Sequence, residues 1–158
     1  MKISKSLDYA MRSMILIGAY FPHRLDITTI SEMQHIPLFY LSKIMRRLIR
    51  FGLVRSHVGP DGGYALSKAP DKIKLKDIYE AVEGHINLLE CKGGIDSCIL
   101  FRNCPQRLVW NKLEATVVDF LGQITLKMII SDNKSNLKLP QRSKVKRKAK
   151  IYAMRQEL

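Results

Sequence analysis

Three features of the sequence predict a mainly α-helical chain with a small β-hairpin wing. Between residues 28 and 50 a short capped segment, a turn marked by proline and a basic amphipathic helix follow one another. Residues 53 to 67 place two β-prone runs around a turn dense in Gly and Pro, the signal of a hairpin. A long apolar stripe at helical period then occupies residues 106 to 130. Short helix, turn, basic helix and hairpin, in that order, make a winged helix-turn-helix, and the final stripe predicts a long dimerisation helix.

Each element has its own justification. Leu7, Ala10, Met11, Met14, Ile15, Ile17 and Gly18 give an apolar helix over residues 5–20, which Pro22 ends. Thr28 or Thr29 offers the next N-cap, and Glu32, three residues after Thr29, completes a capping box. That helix runs to about His35, and Pro37 suits the first position of its successor. There Leu41, Ile44, Met45, Leu48 and Ile49 form a core stripe, while Ser42, Lys43, Arg46, Arg47 and Arg50 occupy the opposite face up to Gly52. Residues 75–83 predict another short helix ending at Gly84. In the last helix Leu113, Val117, Phe120, Leu121, Ile124 and Met128 share a face too long to pack on so small a domain, so part of it should pair with a second copy. A two-fold dimer in turn suits a palindromic site on double-stranded DNA.

The chain has 158 residues, 46% hydrophobic and 26% charged, enough to bury a core without staples. Its 27 basic against 14 acidic residues favour a polyanionic partner. No apolar run approaches the roughly 20 residues needed to cross a bilayer. Asp8 and Arg12 interrupt what would be a secretory stretch, and an odd count of three cysteines makes a poor disulfide framework. A cytoplasmic protein with free thiols and no membrane partner is therefore expected. Residues 131–158, with nine Lys/Arg and two acids, read as a disordered basic tail for phosphates or for solubility. No acid lies between Glu32 and Asp61, although Lys43, Arg46, Arg47, Arg50 and Arg55 do, so this segment looks built to face phosphate. The domain plan is 1–84 for DNA binding, with the first helix also serving the dimer, 85–105 for a ligand loop, 106–130 for dimerisation, and then the tail.

All three cysteines fall within one short window, Cys91, Cys98 and Cys104, spaced C-x6-C-x5-C around Gly93-Gly94-Ile95-Asp96-Ser97. Inert buried cysteines sit at helical or strand period on an apolar face, and these do not. Soft thiolates select zinc, copper(I) or iron–sulfur clusters. Tight zinc knuckles are absent, which favours a cluster reached from several sides, with zinc or thiol redox chemistry as alternatives. His85 is a rival fourth ligand; His23, His35 and His57 show no ligand spacing. Trp110 and Phe101 are expected in the core around the cysteine loop. Nothing pairs a nucleophile with a base or cradles a nucleotide, so no enzyme is expected.

These residues carry a resemblance. Met1-Lys2-Ile3-Ser4-Lys5, the wing Gly59-Pro60-Asp61-Gly62-Gly63-Tyr64-Ala65-Leu66, the segment Asp77-Ile78-Tyr79-Glu80-Ala81-Val82-Glu83-Gly84 and the three-cysteine loop resemble the IscR/NsrR superfamily of winged-helix iron–sulfur transcription regulators over about residues 1–130. The resemblance implies a homodimeric repressor on a palindromic promoter site, with a cluster beside the dimer helices. The assembly-regulator branch places a histidine ligand three residues after its last cysteine, where this chain has Arg107. The nitric-oxide-sensing branch uses an aspartate near the N-terminus of the partner subunit, and Asp8 stands at that place. The implied ligands are therefore Cys91, Cys98 and Cys104 with Asp8 from the partner, holding a [4Fe-4S] cluster, or [2Fe-2S] as the alternative. The x6 gap exceeds the family's commoner x5, and an iron-responsive branch shares the plan. Candidate DNA contacts are Thr28, Thr29, Leu38, Phe39, Tyr40, Ser42, Lys43, Arg46, Arg47, Arg50 and Arg55, with His57, Gly62 and Gly63 in the wing. The aromatics at 39 and 40 would touch a thymine methyl or pack on the preceding helix.

Overall fold

The computed structural model describes residues 3–59, 62–89 and 103–132. They form α1 (Lys5–Ala19), α2 (Ile27–Gln34), α3 (Leu38–Arg50), β1 (Val54–His57), β2 (Gly63–Leu66), a 3-10 turn (Pro70–Lys72), α4 (Leu75–Glu83), α5 (Arg107–Gln123) and α6 (Leu126–Asp132). The mostly helical class with one antiparallel hairpin is the one the sequence predicts. Pro60, Asp61, Cys91, Cys98, Phe101 and the tail from 133 onward lie outside the described residues.

Helix α1 starts where the Ser4 hydroxyl accepts the Leu7 N–H at 3.0 Å, and it buries Leu7, Ala10, Met14, Leu16 and Ile17. The cap of α2 differs from the sequence reading. Asp26, not Thr28 or Thr29, is the N-cap, and its carboxylate accepts the Thr29 N–H at 2.8 Å and the Thr29 hydroxyl. A carboxylate is a better acceptor than a threonine hydroxyl and also opposes the positive end of the helix dipole, so it takes the position. His35 ends α2 in the left-handed region at φ 50°. Pro37 stands one position earlier than expected: it is the N-cap of α3, its extended carbonyl accepting the Leu41 N–H at 3.0 Å.

Leu41, Ile44, Met45 and Leu48 of α3 pack into one core with α1, Leu53, Leu66, Ile73 and Ile78. The hairpin pairs Val54 with Leu66 and His57 with Gly63. Its second strand is fixed to the loop before α2 by reciprocal Leu25–Tyr64 backbone bonds of 3.0 and 2.8 Å. Gly63 is required here: its φ is 143°, and a Cβ would lie 2.7 Å from the Leu25 carbonyl oxygen.

The helix expected over 106–130 is broken in two. Ile124 is extended, Thr125 forms a strand-like bridge with Lys74, and the Leu75 and Leu126 N–H groups donate across the junction at 3.0 and 2.8 Å. Two consecutive β-branched residues favour that extended backbone, and the turn lets Leu126 reach the core. Leu126 is fully buried, and the Leu126 and Ile130 side chains close over Gly18 of α1. The predicted stripe is therefore divided: Leu113, Val117, Phe120 and Leu121 stay on α5, whereas Ile124 lies in the break and Met128 on α6. Trp110, expected in the core, is 40% exposed and donates its indole N–H to Gln106 at 3.3 Å. Leu126→Ala should lower unfolding stability by about 2–5 kcal/mol, while the exposed Lys127→Ala stays near wild type; urea denaturation at one protein concentration checks both.

Candidate nucleic-acid interface and ligand positions

Helix α3 presents two faces of opposite chemistry. An α-helix advances about 100° per residue, so Phe39, Lys43, Arg46 and Arg50, spaced four, three and four apart, align as one ridge. That ridge stands opposite the buried Leu41, Ile44, Met45 and Leu48. Lys43, Arg46 and Arg50 are exposed, and so are Leu38, Phe39 and Tyr40 in the first turn. The Lys43 ammonium lies 4.1 Å above the Phe39 ring. The Ser42 hydroxyl turns back to the Leu38 carbonyl at 2.9 Å. Arg47 points elsewhere: its guanidinium donates to the Val82 carbonyl at 2.8 Å, tying α3 to the end of α4. A phosphate role for Arg47 would have to compete with that bond.

The other candidates are distributed over neighbouring elements. Thr28 is exposed near the start of α2, and Thr29 is held by Asp26. In β1 only Val54 faces the core, leaving Arg55, Ser56 and His57 exposed. Gly62 sits so close to the backbone that a Cβ would lie 2.6 Å from the His57 carbonyl oxygen. Val58, unnoticed in the sequence, is fully exposed beside it.

Among the candidate ligands, Asp8 and Cys104 fall within the described residues. Asp8 lies in the first turn of α1 with its side chain 51% exposed, one carboxylate oxygen 3.2 Å from Arg12. Cys104 is half-buried just before α5, and its carbonyl accepts the Arg107 N–H at 3.3 Å. Among the described residues, no three His, Cys, Asp or Glu side chains gather in a metal-binding group. His85 reaches Glu80 at 3.5 Å instead. The sequence reading missed Arg12 and Tyr9. Arg12 lies 5.6 Å from the centre of the Tyr9 ring, which meets Tyr40 edge-on at 6.4 Å. The spacing of four between Asp8 and Arg12 was the available signal for that pair; the Tyr9–Tyr40 contact joins two helices and had none.

A core-locked basic helix after a short helix, followed by a two-stranded wing, defines a winged helix-turn-helix transcription regulator. The sequence profile of Rrf2, described as an iron-dependent transcriptional regulator, matches residues 3–132, and the chain belongs to this family. The transcriptional regulator IscR of Erwinia tasmaniensis is 32% identical over 133 residues, spanning 84% of this chain and 80% of that protein. IscR of Vibrio vulnificus is likewise 32% identical, over 84% of this chain and 79% of its own length. Among solved structures, IscR of T. potens superposes with a TM-score of 0.70 at 25% identity, covering 87% of this chain and 92% of that one. CymR, the global cysteine regulator of B. subtilis, gives 0.66 at 27% identity over 83% and 97%. The chain is a regulator rather than an enzyme. No described helix is long and apolar enough to cross a membrane.

Two arginines of α3 differ in setting, Arg46 exposed on the ridge and Arg47 bonded to the end of α4. Arg46→Ala should reduce the slope of log affinity against log salt by about one unit, whereas Arg47→Ala should leave most of that slope and lower the melting temperature. Fluorescence anisotropy over a salt series and thermal melts distinguish the two.

Proposed function

We propose that this chain is a homodimeric repressor of a palindromic promoter site, its affinity set by an iron–sulfur cluster that senses nitric oxide, iron or redox state. The ligands in this reading are Cys91, Cys98 and Cys104 of one protomer and Asp8 of the partner subunit, and the cluster is [4Fe-4S]. The observation that carries the reading is the setting of Asp8: an exposed carboxylate at the start of α1, engaged by Arg12 through a single oxygen. A surface pair of this kind is worth at most about 1 kcal/mol, so the carboxylate can be given up to a metal. Three thiolates with one carboxylate also fit the group by donor chemistry, since the thiolates bind soft iron tightly and the harder carboxylate exchanges. When bound, such a cluster would supply iron that can react with nitric oxide or be lost, and Asp8 would be its more exchangeable ligand.

The chain's own residues provide the coupling. Asp8 precedes Tyr9, whose ring touches Tyr40 in the first turn of α3. Arg12, freed when Asp8 turns to a ligand, already lies over the same ring. Occupancy at Asp8 thus reaches the DNA-facing helix through two ring contacts, giving two states with different DNA affinity. Support for the dimer comes from α5, where Val109, Leu113 and Phe120 share a face and are exposed, as is Leu108, apolar side chains that a second copy would cover. The second reading is a cluster-assembly or iron-responsive regulator of the same fold. It is favoured by the IscR relatives and opposed by Arg107, a cation at the implied histidine position.

Anaerobic purification followed by native mass spectrometry tests the assignment. Wild type should appear as a brown dimer carrying iron and sulfide, Cys98→Ser as an iron-free dimer, and Asp8→Ala as a dimer with partial or iron-depleted occupancy. A zinc-loaded, colourless wild type would replace the sensor reading with a zinc-held DNA-binding protein. Full occupancy in Asp8→Ala would remove Asp8 from the ligand set.

A further inference from the structure

The basic ridge of α3 begins with an exposed aromatic residue, Phe39. Phe39 is 67% exposed, directly opposite the helix's buried side, at the N-terminal head of the line that continues through Lys43, Arg46 and Arg50. Its neighbour Tyr40 has a structural use, because its ring packs edge-on against Tyr9 of α1. Among the described residues the Phe39 ring meets the Tyr40 ring, at 5.9 Å, and the Lys43 ammonium, both on α3 itself. These contacts hold the ring on the outer ridge and bring it no core to enter. A phenyl ring held exposed among cations offers an apolar surface to a polyanionic partner that the ridge attracts.

Double-stranded DNA offers one such group on the major-groove floor, the 5-methyl of thymine. In a helix-turn-helix the N-terminal residues of the second helix are those that approach base edges. The charge of the ridge commits this face to DNA: α3 carries no acid, and none occurs from Glu32 to Asp61. We propose that Phe39 is a specificity-determining residue that reads thymine methyl groups in the major groove, while Lys43, Arg46 and Arg50 hold the backbone. The inference rests on the reading of α3 as the DNA-facing helix. Under it, Phe39 contributes sequence preference and none of the salt dependence, and the cations contribute the reverse.

The test uses the full chain, purified anaerobically, and a randomised duplex pool from which bound DNA is selected and sequenced. Each thymine of the enriched site is then replaced by deoxyuridine, which removes only the methyl group, and affinity is read by anisotropy at fixed salt. At a thymine in each half-site the replacement should weaken wild type about fourfold, the ratio that burial of one methyl group supplies. Phe39→Ala should bind thymine and deoxyuridine sites alike with an unchanged salt slope, and Phe39→Leu should keep part of the preference. Circular dichroism confirms that both variants fold. Binding with a normal salt slope but no methyl preference, or a preference that survives in Phe39→Ala, would overturn the role of Phe39 and leave the DNA face standing. Failure of the pool to enrich, with no salt-dependent binding, would overturn the DNA face and the role of Phe39 together.

Discussion

The two-sidedness of α3 is the constraint from which the rest of this structure follows. Leu41, Ile44, Met45 and Leu48 are sealed against α1 and the hairpin base, and this burial fixes the rotation of the helix about its own axis. Once the rotation is fixed, Phe39, Lys43, Arg46 and Arg50 can only point outward. The surrounding contacts serve the same end. Arg47 clamps the helix to the Val82 carbonyl, Tyr9 meets Tyr40 at its first turn, and the Ser4 hydroxyl donates to Glu83, joining the start of α1 to the end of α4. A cationic surface is cheap to make, but one held at a fixed angle requires an apolar core of matching period behind it.

The C-terminal half solves a different problem. By breaking at Ile124–Thr125, the chain returns Leu126 and Ile130 to α1 and closes the winged-helix core with α6. Helix α5 is left without a buried residue and is linked inward through Glu114, whose carboxylate accepts the Leu88 N–H at 3.0 Å. On the proposed dimer reading its exposed apolar residues are the surface a second copy would cover, while α6 packs on its own chain. That division gives the proposed sensor a lever: the half-buried Cys104 lies at the start of α5, and Asp8 lies on α1, against which α6 packs. On that proposal, a ligand set drawn from both subunits would connect α5, the proposed dimer helix, to α1, which packs on α3.

Much of the fold was legible because its signals are local. The period of α3, the proline before it, the glycine-rich wing and Gly84 after α4 all act within a few residues, and each element appears where those residues place it. The misreadings arose where distant groups compete. Asp26 displaced the threonines because a carboxylate caps more strongly, and the 106–130 stripe broke because the Leu75 N–H and the Ile73 carbonyl, far away in sequence, offered backbone partners to Ile124 and Leu126. Trp110 followed the same logic: its apolar character says nothing about which helix covers it. At the candidate site, Arg46 and Arg47 look equivalent in sequence, yet Arg46 is exposed on the ridge and Arg47 turns to Val82, a distinction set by the crossing of α3 and α4. The cysteine spacing and Asp8 suggest ligand chemistry in the sequence, but Cys91 and Cys98 lie outside the described residues, and the proposed site would also draw on a second subunit.

The most direct measurement is a nitric oxide titration of anaerobic cluster-loaded protein on its selected DNA site, with the cluster's visible absorbance and DNA anisotropy recorded in the same cuvette. The account predicts that affinity changes in step with the loss of the cluster signal. Affinity that stays constant while the absorbance disappears would contradict it.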